Sequence, residues 1–94
     1  MRVIWTRRAL ADLDAMFTHV AKDNRDLAER LTFEMEARVR TLADYPEIGR
    51  PGRADGTREF VITGTPYILP YRVRDGRVEI LAALHASRQW PDQF

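Results

Sequence analysis

Residues 6–45 contain no glycine or proline, and their apolar positions follow the period of an α-helix. The apolar side chains recur every three or four residues, with a polar break at 22–25: Leu10, Leu13, Met16, Phe17 and Val20, then Leu27, Leu31, Met35, Val39 and Leu42. Thr6 is a suitable N-cap for the first helix, and Asp23 or Asn24 for the second. Because the break is so short, the pattern predicts an antiparallel helix hairpin.

The chain changes character at Pro46, because all of its glycines and prolines lie after Tyr45. Residues 46–52 are rich in both types and predict a loop with no regular element. Three runs with the composition and alternation of β-strands follow it: Arg58–Thr63, Tyr67–Arg74 and Arg77–His85. This half of the chain therefore predicts a sheet.

Two local sequence features refine the predicted sheet. Asp75-Gly76 is typical of a type I′ hairpin turn between the last two strands. Pro70 cannot donate to a sheet ladder and predicts a bulge or an unpaired donor within its strand.

Arg2–Trp5 also alternate like a strand, so the element order is β-α-α-β-β-β. This order predicts an α+β fold, with residues 1–94 as one domain whose helix hairpin packs on one face of a small, mainly antiparallel sheet.

The composition narrows the classes of protein that the chain can represent. Its 94 residues carry 15 basic and 14 acidic side chains, a net charge of +1 that argues against a generic polyanion binder. All but one of the basic residues are arginines, the exception being Lys22. The absence of cysteine excludes disulfides and thiolate metal sites. No apolar run approaches the length of a membrane span or a secretory signal, so we expect a cytoplasmic protein.

Few side chains could support catalysis. His19 and His85 have no neighbouring carboxylates at ligand spacing, so no metal site is predicted, and no phosphate-binding glycine loop or other cofactor motif occurs. His85 ends the last predicted strand, where sites often lie, although a purely structural role is equally compatible with this position. The arginines of the second half are bidentate donors suited to phosphate or carboxylate. Those singled out are Arg50, Arg53, Arg58, Arg72 and Arg88.

The element order is accompanied by short motifs that are specific in combination. They are Pro46-x-x-Gly49-Arg50, Gly56-Thr57-Arg58-Glu59, Tyr67–Val73, and Leu84-His85 followed by Arg88 and Trp90. Over essentially its whole length the chain resembles the RelE/ParE superfamily of bacterial toxins. This resemblance implies the toxin of a type II toxin–antitoxin system, of the kind that also stabilises plasmids, made together with a cognate antitoxin that neutralises it. Operator DNA would then be contacted only through the antitoxin, and no membrane partner is implied.

The resemblance leaves two mechanisms open. ParE-like toxins poison DNA gyrase, whereas RelE-like toxins cleave mRNA on the ribosome. Under the nuclease alternative, His85, Arg58 and Arg88 would be catalytic, but Ala86 stands where the matching relatives carry tyrosine. A single lysine is also a poor match to the lysine-rich nucleases, and arginine cannot act as a base at neutral pH. These departures favour a gyrase poison that acts by binding, with no catalytic residue and no cofactor. A third alternative is a degenerate toxin that serves mainly in antitoxin binding and operon autorepression.

The resemblance also assigns candidate residues to two partners. Those expected to contact the target are Arg50, Arg58, Arg72, His85, Arg88 and Trp90. Those expected to contact the antitoxin lie on the helix stripes and are Leu13, Met16, Phe17, Val20, Leu31 and Met35. Which of these apolar side chains face the core and which face the antitoxin is not fixed by one sequence. The antitoxin would use helix-in-groove and strand-addition contacts.

Overall fold

The computed structural model describes residues 1–88, 90, 91 and 94, and the predicted α+β fold is confirmed, with three more elements than the predicted order β-α-α-β-β-β. These residues contain three helices: α1 at Arg7–Ala21, α2 at Arg25–Val39 and α3 at Thr41–Asp44. The side-chain oxygen of Thr6 accepts a hydrogen bond from the backbone N–H of Ala9 (3.2 Å), and that of Asn24 accepts one from Leu27 (3.0 Å). Both caps satisfy donors that a helix start leaves free, so local sequence sets where each long helix begins.

In the described part of the chain, six strands form one mixed sheet: β1 at Arg2–Trp5, β2 at Arg50–Pro51, β3 at Arg58–Val61, β4 at Tyr67–Arg74, β5 at Arg77–Ile80 and β6 at Leu84–His85. The strand order is β1-β5-β4-β3-β2, and β6 pairs with β4. Strand β1 runs parallel to β5, and all other pairs are antiparallel. The β4–β5 turn has Asp75 at φ 54° and Gly76 at φ 72°, which confirms the predicted type I′ hairpin.

The prediction that residues 46–52 contain no regular element was wrong. Arg50 and Pro51 form β2, in register with Glu59 and Arg58 of β3. Pro51 is tolerated because β2 is the edge strand of the sheet. The pairing continues beyond the strand, where the Gly52 N–H donates to the Thr57 carbonyl at 2.8 Å.

The predicted strand Arg77–His85 is interrupted, because β5 stops at Ile80 and β6 starts only at Leu84. The interruption lies beside Pro70, whose carbonyl accepts a hydrogen bond from the Leu81 N–H at 2.8 Å. Since the nitrogen and carbonyl of one strand residue point to the same side, the donor that Pro70 lacks also faces this gap. The proline therefore lies where its partner strand is broken.

The core lies between the helices and one face of the sheet. Ala9 and Met35 from the helices are fully buried against Leu69 and Tyr71 of β4. The apolar stripes thus pack as their spacing predicts, although α2 ends at Val39 and the last stripe residue belongs to α3. Among the described residues, no helix combines the length and the apolar character that crossing a membrane requires.

Candidate functional site

The face of the sheet without helices carries charged side chains. The helix-covered face takes four buried residues of β4 and β5: Leu69, Tyr71, Val78 and Ile80. Because successive strand residues point to opposite faces, Glu59, Arg72 and Glu79 lie on the other side. Both glutamates are buried, with 4% and 7% of their surface exposed. Buried carboxylates need charged or hydrogen-bonding partners, and arginines supply them here.

Glu79 is surrounded by the arginines of the β4–β5 hairpin. Its Oε1 accepts a hydrogen bond from Arg72 Nε at 2.7 Å and lies 3.6 Å from Arg74 Nε. Its Oε2 lies 3.4 Å from Arg77 Nε. The hydrogen bond from Arg72, reinforced by the charges of Arg74 and Arg77, holds the pKa of Glu79 below its ordinary value. One carboxylate thus serves three guanidinium groups.

We expect Glu79→Gln to lower the free energy of unfolding at pH 7, because three arginines lose their shared counter-charge. A lowered folded-state pKa gives stability that is present above the unfolded-state pKa of about 4.5 and is lost as the pH falls through the folded value. The difference between wild type and variant should therefore be largest near neutral pH and shrink below about pH 4.5. Urea unfolding between pH 7 and pH 3 measures it, with the exposed Glu36→Gln as control. A difference that stays constant with pH would contradict this role.

Glu59 holds the loop between β2 and β3 in place. Its Oε1 accepts from Arg50 Nε at 3.0 Å, and its Oε2 accepts from the backbone N–H of Arg53 at 3.1 Å. The Arg53 guanidinium also stacks on the Trp90 ring, 3.8 Å from its centroid. The loop, Arg72 and the C-terminal Phe94 line a cleft of about 490 Å³ on this face.

Arg58 is committed to the backbone of the loop before β2. Its Nη1 donates to the carbonyls of Glu47 (3.1 Å) and Gly49 (2.8 Å). The Tyr71 hydroxyl donates to the Pro46 carbonyl (2.7 Å) and accepts from the Gly49 N–H (2.9 Å). Burial raises the pKa of Tyr71 above its ordinary value, so this hydroxyl stays protonated. Arg58 and Tyr71 therefore position the segment that carries Arg50.

A second cleft, of about 320 Å³, lies between α1 and β6. Two histidines and two arginines line it, His19, His85, Arg8 and Arg88, a grouping that the sequence did not reveal. Asp12, the one carboxylate among the described residues that line it, accepts from the Ala83 N–H at 3.0 Å and lies 3.5 Å from Arg8. Within the described part of the chain, no three metal-binding side chains converge.

His85 is held in place through both its ring and its backbone carbonyl. Its Nδ1 lies 3.2 Å from the Ser87 N–H, which donates to it, and 2.7 Å from the Ser87 hydroxyl. Tyr67 packs edge-on against the ring, with centroids 5.5 Å apart. The Trp90 indole donates to the His85 carbonyl at 3.2 Å. Because Nδ1 accepts from a backbone amide, neutral His85 carries its proton on Nε2.

Of the three residues assigned to a nuclease site, His85 and Arg88 line one cleft, but Arg58 lies apart from them. His85 pairs with Tyr67 and Arg58 pairs with Tyr71, so the two are separated along β4 by about 13 Å at ordinary strand rise. Arg88 is exposed and lines the cleft beside His85, away from Arg58. Of the other predicted target contacts, Arg50 and Arg72 bind Glu59 and Glu79, Arg88 lies beside His85, and Trp90 contacts both His85 and Arg53.

The six residues assigned to the antitoxin also divide. Leu13, Met16 and Met35 are buried in the core, although the edge of Leu13 still lines the groove described next. Half-buried side chains remain accessible at Phe17, Val20 and Leu31. A groove of about 270 Å³ between α1 and α2 is lined by Leu10, Leu13, Asp14, Phe17 and Thr32. The groove adds Leu10, which is 52% exposed, to the accessible set.

Sequence reasoning missed Arg74, Arg77 and the two buried glutamates. Glu59 and Glu79 occupy the polar positions of strands that alternate between polar and apolar residues, and this pattern predicts exposed side chains. Their burial follows only from the strand register, which surrounds them with arginines. The alternation Arg72-x-Arg74 and Arg77-x-Glu79 was nevertheless a signal that these four side chains share one face.

Comparisons with known proteins agree with this architecture. The sequence model of the ParE toxin of the type II toxin–antitoxin system parDE matches residues 3–90. A Sinorhizobium fredii protein named as a toxin candidate, Y4kP, is 48% identical over 91 residues, which cover 96% of this chain and 93% of the relative. Toxin RelE2 of Caulobacter vibrioides is 39% identical over 87 residues, covering 93% and 97%. A solved chain from the chromosomal ParDE TA system of P. aeruginosa is similar, with a TM-score of 0.83 and 29% identity over 93% of this chain and 97% of that chain.

Proposed function

Because this chain belongs to the ParE toxin family of type II toxin–antitoxin systems, we propose that it arrests growth by binding DNA gyrase. In this proposal the protein is not an enzyme, and a cognate antitoxin neutralises it. The target is contacted by the helix-free sheet face with Arg50 and Arg72, and by the C-terminal region with His85, Arg88 and Trp90. Arg58 serves by holding the loop that presents Arg50.

The separation of His85 from Arg58 is the observation that carries this proposal. Ribonucleolytic cleavage needs a base for the 2′-hydroxyl, an acid for the leaving oxygen and cations around the phosphate, all within reach of one bond. Here Arg58 is bound to loop carbonyls, and His85 Nδ1 is occupied by the Ser87 amide. These contacts favour a toxin that acts by binding.

The antitoxin, in this proposal, places an amphipathic helix in the groove between α1 and α2. Leu10 and Phe17 supply accessible apolar contacts there, and Val20 and Leu31 extend the same hairpin surface. Such a groove suits a helix that inserts side chains three and four positions apart. This leaves the charged sheet face to the target.

An mRNA endonuclease remains the second candidate, supported by two observations. One relative is named toxin RelE2, and the cleft beside His85 collects two histidines and two arginines. The decisive experiment tests the purified toxin for inhibition of gyrase supercoiling and, in parallel, for mRNA cleavage on ribosomes. Gyrase inhibition without cleavage supports our proposal, and cleavage without inhibition overturns it. If expression without antitoxin leaves growth unaffected, the protein is instead the degenerate toxin considered above.

We expect His85→Ala to retain most of its growth arrest and gyrase inhibition, because His85 is one of several contacts to the target and its imidazole performs no chemistry in a binding toxin. Growth after induction and a supercoiling assay measure this, with thermal unfolding to confirm that the variant folds. Arg30→Ala, which changes an exposed residue on α2, is the matched control. Complete loss of growth arrest in a folded His85→Ala protein, as expected for a catalytic base and not for one contact among several, would refute the binding mechanism.

A further inference from the structure

We propose that three arginines on neighbouring strands, Arg2, Arg77 and Arg74, form a binding site for the phosphate backbone of duplex DNA. We call these residues the arginine row. The choice of duplex DNA among polyanions rests on the proposed function, since gyrase acts on DNA. The site itself is inferred from register, charge and exposure.

The register of the sheet aligns the three residues. Arg2 of β1 pairs with Arg77 of β5, and Arg77 pairs with Arg74 of β4. Directly paired residues project from the same face of a sheet, and adjacent strands lie about 4.8 Å apart. The row therefore spans about 10 Å across three strands on the helix-free face.

The fold gains little from this arrangement. Like charges directly opposite each other on paired strands are destabilising. Arg74 and Arg77 share one carboxylate, Glu79, with Arg72, and Arg72 makes the short hydrogen bond to it. The Arg77 Nε is buried without a hydrogen-bond partner in the described residues, 3.4 Å from Glu79 Oε2. Much of the row stays accessible, because the side chains of Arg74 and Arg77 are 55% and 41% exposed and Arg2 is an exposed residue.

The surrounding face strengthens the positive field. Its strands present five arginines against two glutamates, a net +3, whereas the whole chain carries +1: Arg2, Arg50, Arg72, Arg74 and Arg77 against Glu59 and Glu79. The charge is therefore distributed unevenly, with an excess of positive charge on the helix-free face although the net charge of the chain is low. Such a field attracts a polyanion to one side only.

Phosphodiester groups match this surface better than scattered carboxylates do. Each guanidinium can bind a phosphate through two parallel hydrogen bonds, and the backbone of the row belongs to paired strands. Contacts of this kind hold the duplex without reading its sequence. An acidic protein surface is the competing occupant, and the experiment below separates the two.

The test measures binding of the full-length toxin, freed of antitoxin, to a fluorescent duplex of random sequence by anisotropy at several salt concentrations. Arg2→Gln/Arg74→Gln/Arg77→Gln is expected to weaken binding about tenfold or more at low salt. It should also reduce the slope of log K against log salt by up to about 2.7, because each lost phosphate contact contributes about 0.9. The matched control, Lys22→Gln/Arg30→Gln/Arg40→Gln, removes the same charge from exposed positions in or beside α1 and α2 and should retain most of the binding.

Three results would overturn the proposal: no binding of DNA by the wild type, equal losses in the two triple variants, or retention of DNA binding by the arginine-row variant. Binding of a polyglutamate peptide without binding of DNA would assign the row to an acidic protein. Thermal unfolding of each variant verifies that it folds. Because this assay contains no gyrase, a negative result leaves the supercoiling experiment to judge the proposed function separately.

Discussion

Replacing Gly49 by alanine is expected to lower the free energy of unfolding by about 2–3 kcal/mol, the range of severe overpacking. A Cβ at this position would lie 2.5 Å from both Cε1 and the hydroxyl oxygen of Tyr71. The ring cannot move away easily, because Tyr71 is fully buried in the core and its hydroxyl is bound to Pro46 and Gly49. Urea denaturation monitored by circular dichroism measures the loss.

Two further variants separate crowding from other causes. Gly64→Ala is the control for backbone strain: a Cβ there meets open space but the residue has φ +87°, so we expect a loss of only about 1 kcal/mol. Tyr71→Phe leaves the Gly49 N–H and the Pro46 carbonyl without this partner, at a cost of about 2 kcal/mol. The double variant Gly49→Ala/Tyr71→Phe should lose less than the sum, because the two residues touch. A Gly49→Ala protein as stable as Gly64→Ala would contradict the crowding argument.

Elements fixed by local chemistry were predictable from the sequence. The start of α1 depends on one hydroxyl at Thr6, and the β4–β5 hairpin depends on two residues that accept positive φ, Asp75 and Gly76. Such signals act over a few residues and need no knowledge of the rest of the fold.

Features that depend on distant partners were not predictable. Strand β2 exists because residues 50 and 51 meet β3, and its side-chain pair Arg50–Glu59 is satisfied only in that register. Burial of Glu79 likewise depends on the arginines of the β4–β5 hairpin. For the candidate site, the sequence identified Arg72 but missed Arg74 and Arg77, because their common environment arises only when the strands align.

The same limit applies to the helix hairpin, where periodicity identifies apolar positions but not which of them a partner can reach. Met16 and Phe17 are adjacent in sequence, yet Met16 is 6% exposed in the core while Phe17 lines the outer groove. The Arg25 guanidinium lies over the Phe17 ring, 5.7 Å from the ring centroid. Phe17 is therefore the sharpest position at which to test the proposed antitoxin surface.

We expect Phe17→Glu to weaken antitoxin binding about 100-fold or more, because a charged carboxylate beside Asp14 replaces the aromatic ring that a docked helix would cover; losses of about 3 kcal/mol are typical of central contacts. Isothermal titration with the purified antitoxin measures the affinity, and co-expression should no longer rescue growth. Phe33→Glu is the matched control, since Phe33 is 68% exposed and lies outside the groove lining.

The prediction separates antitoxin binding from toxicity, because the groove and the charged sheet face lie on opposite sides of the sheet. A folded Phe17→Glu toxin should therefore still inhibit gyrase supercoiling while escaping its antitoxin. Loss of both activities in a variant with unchanged thermal unfolding would mean that target and antitoxin share the helix hairpin. Escape by Phe33→Glu with normal neutralisation of Phe17→Glu would place the antitoxin on the outer face of α2 instead.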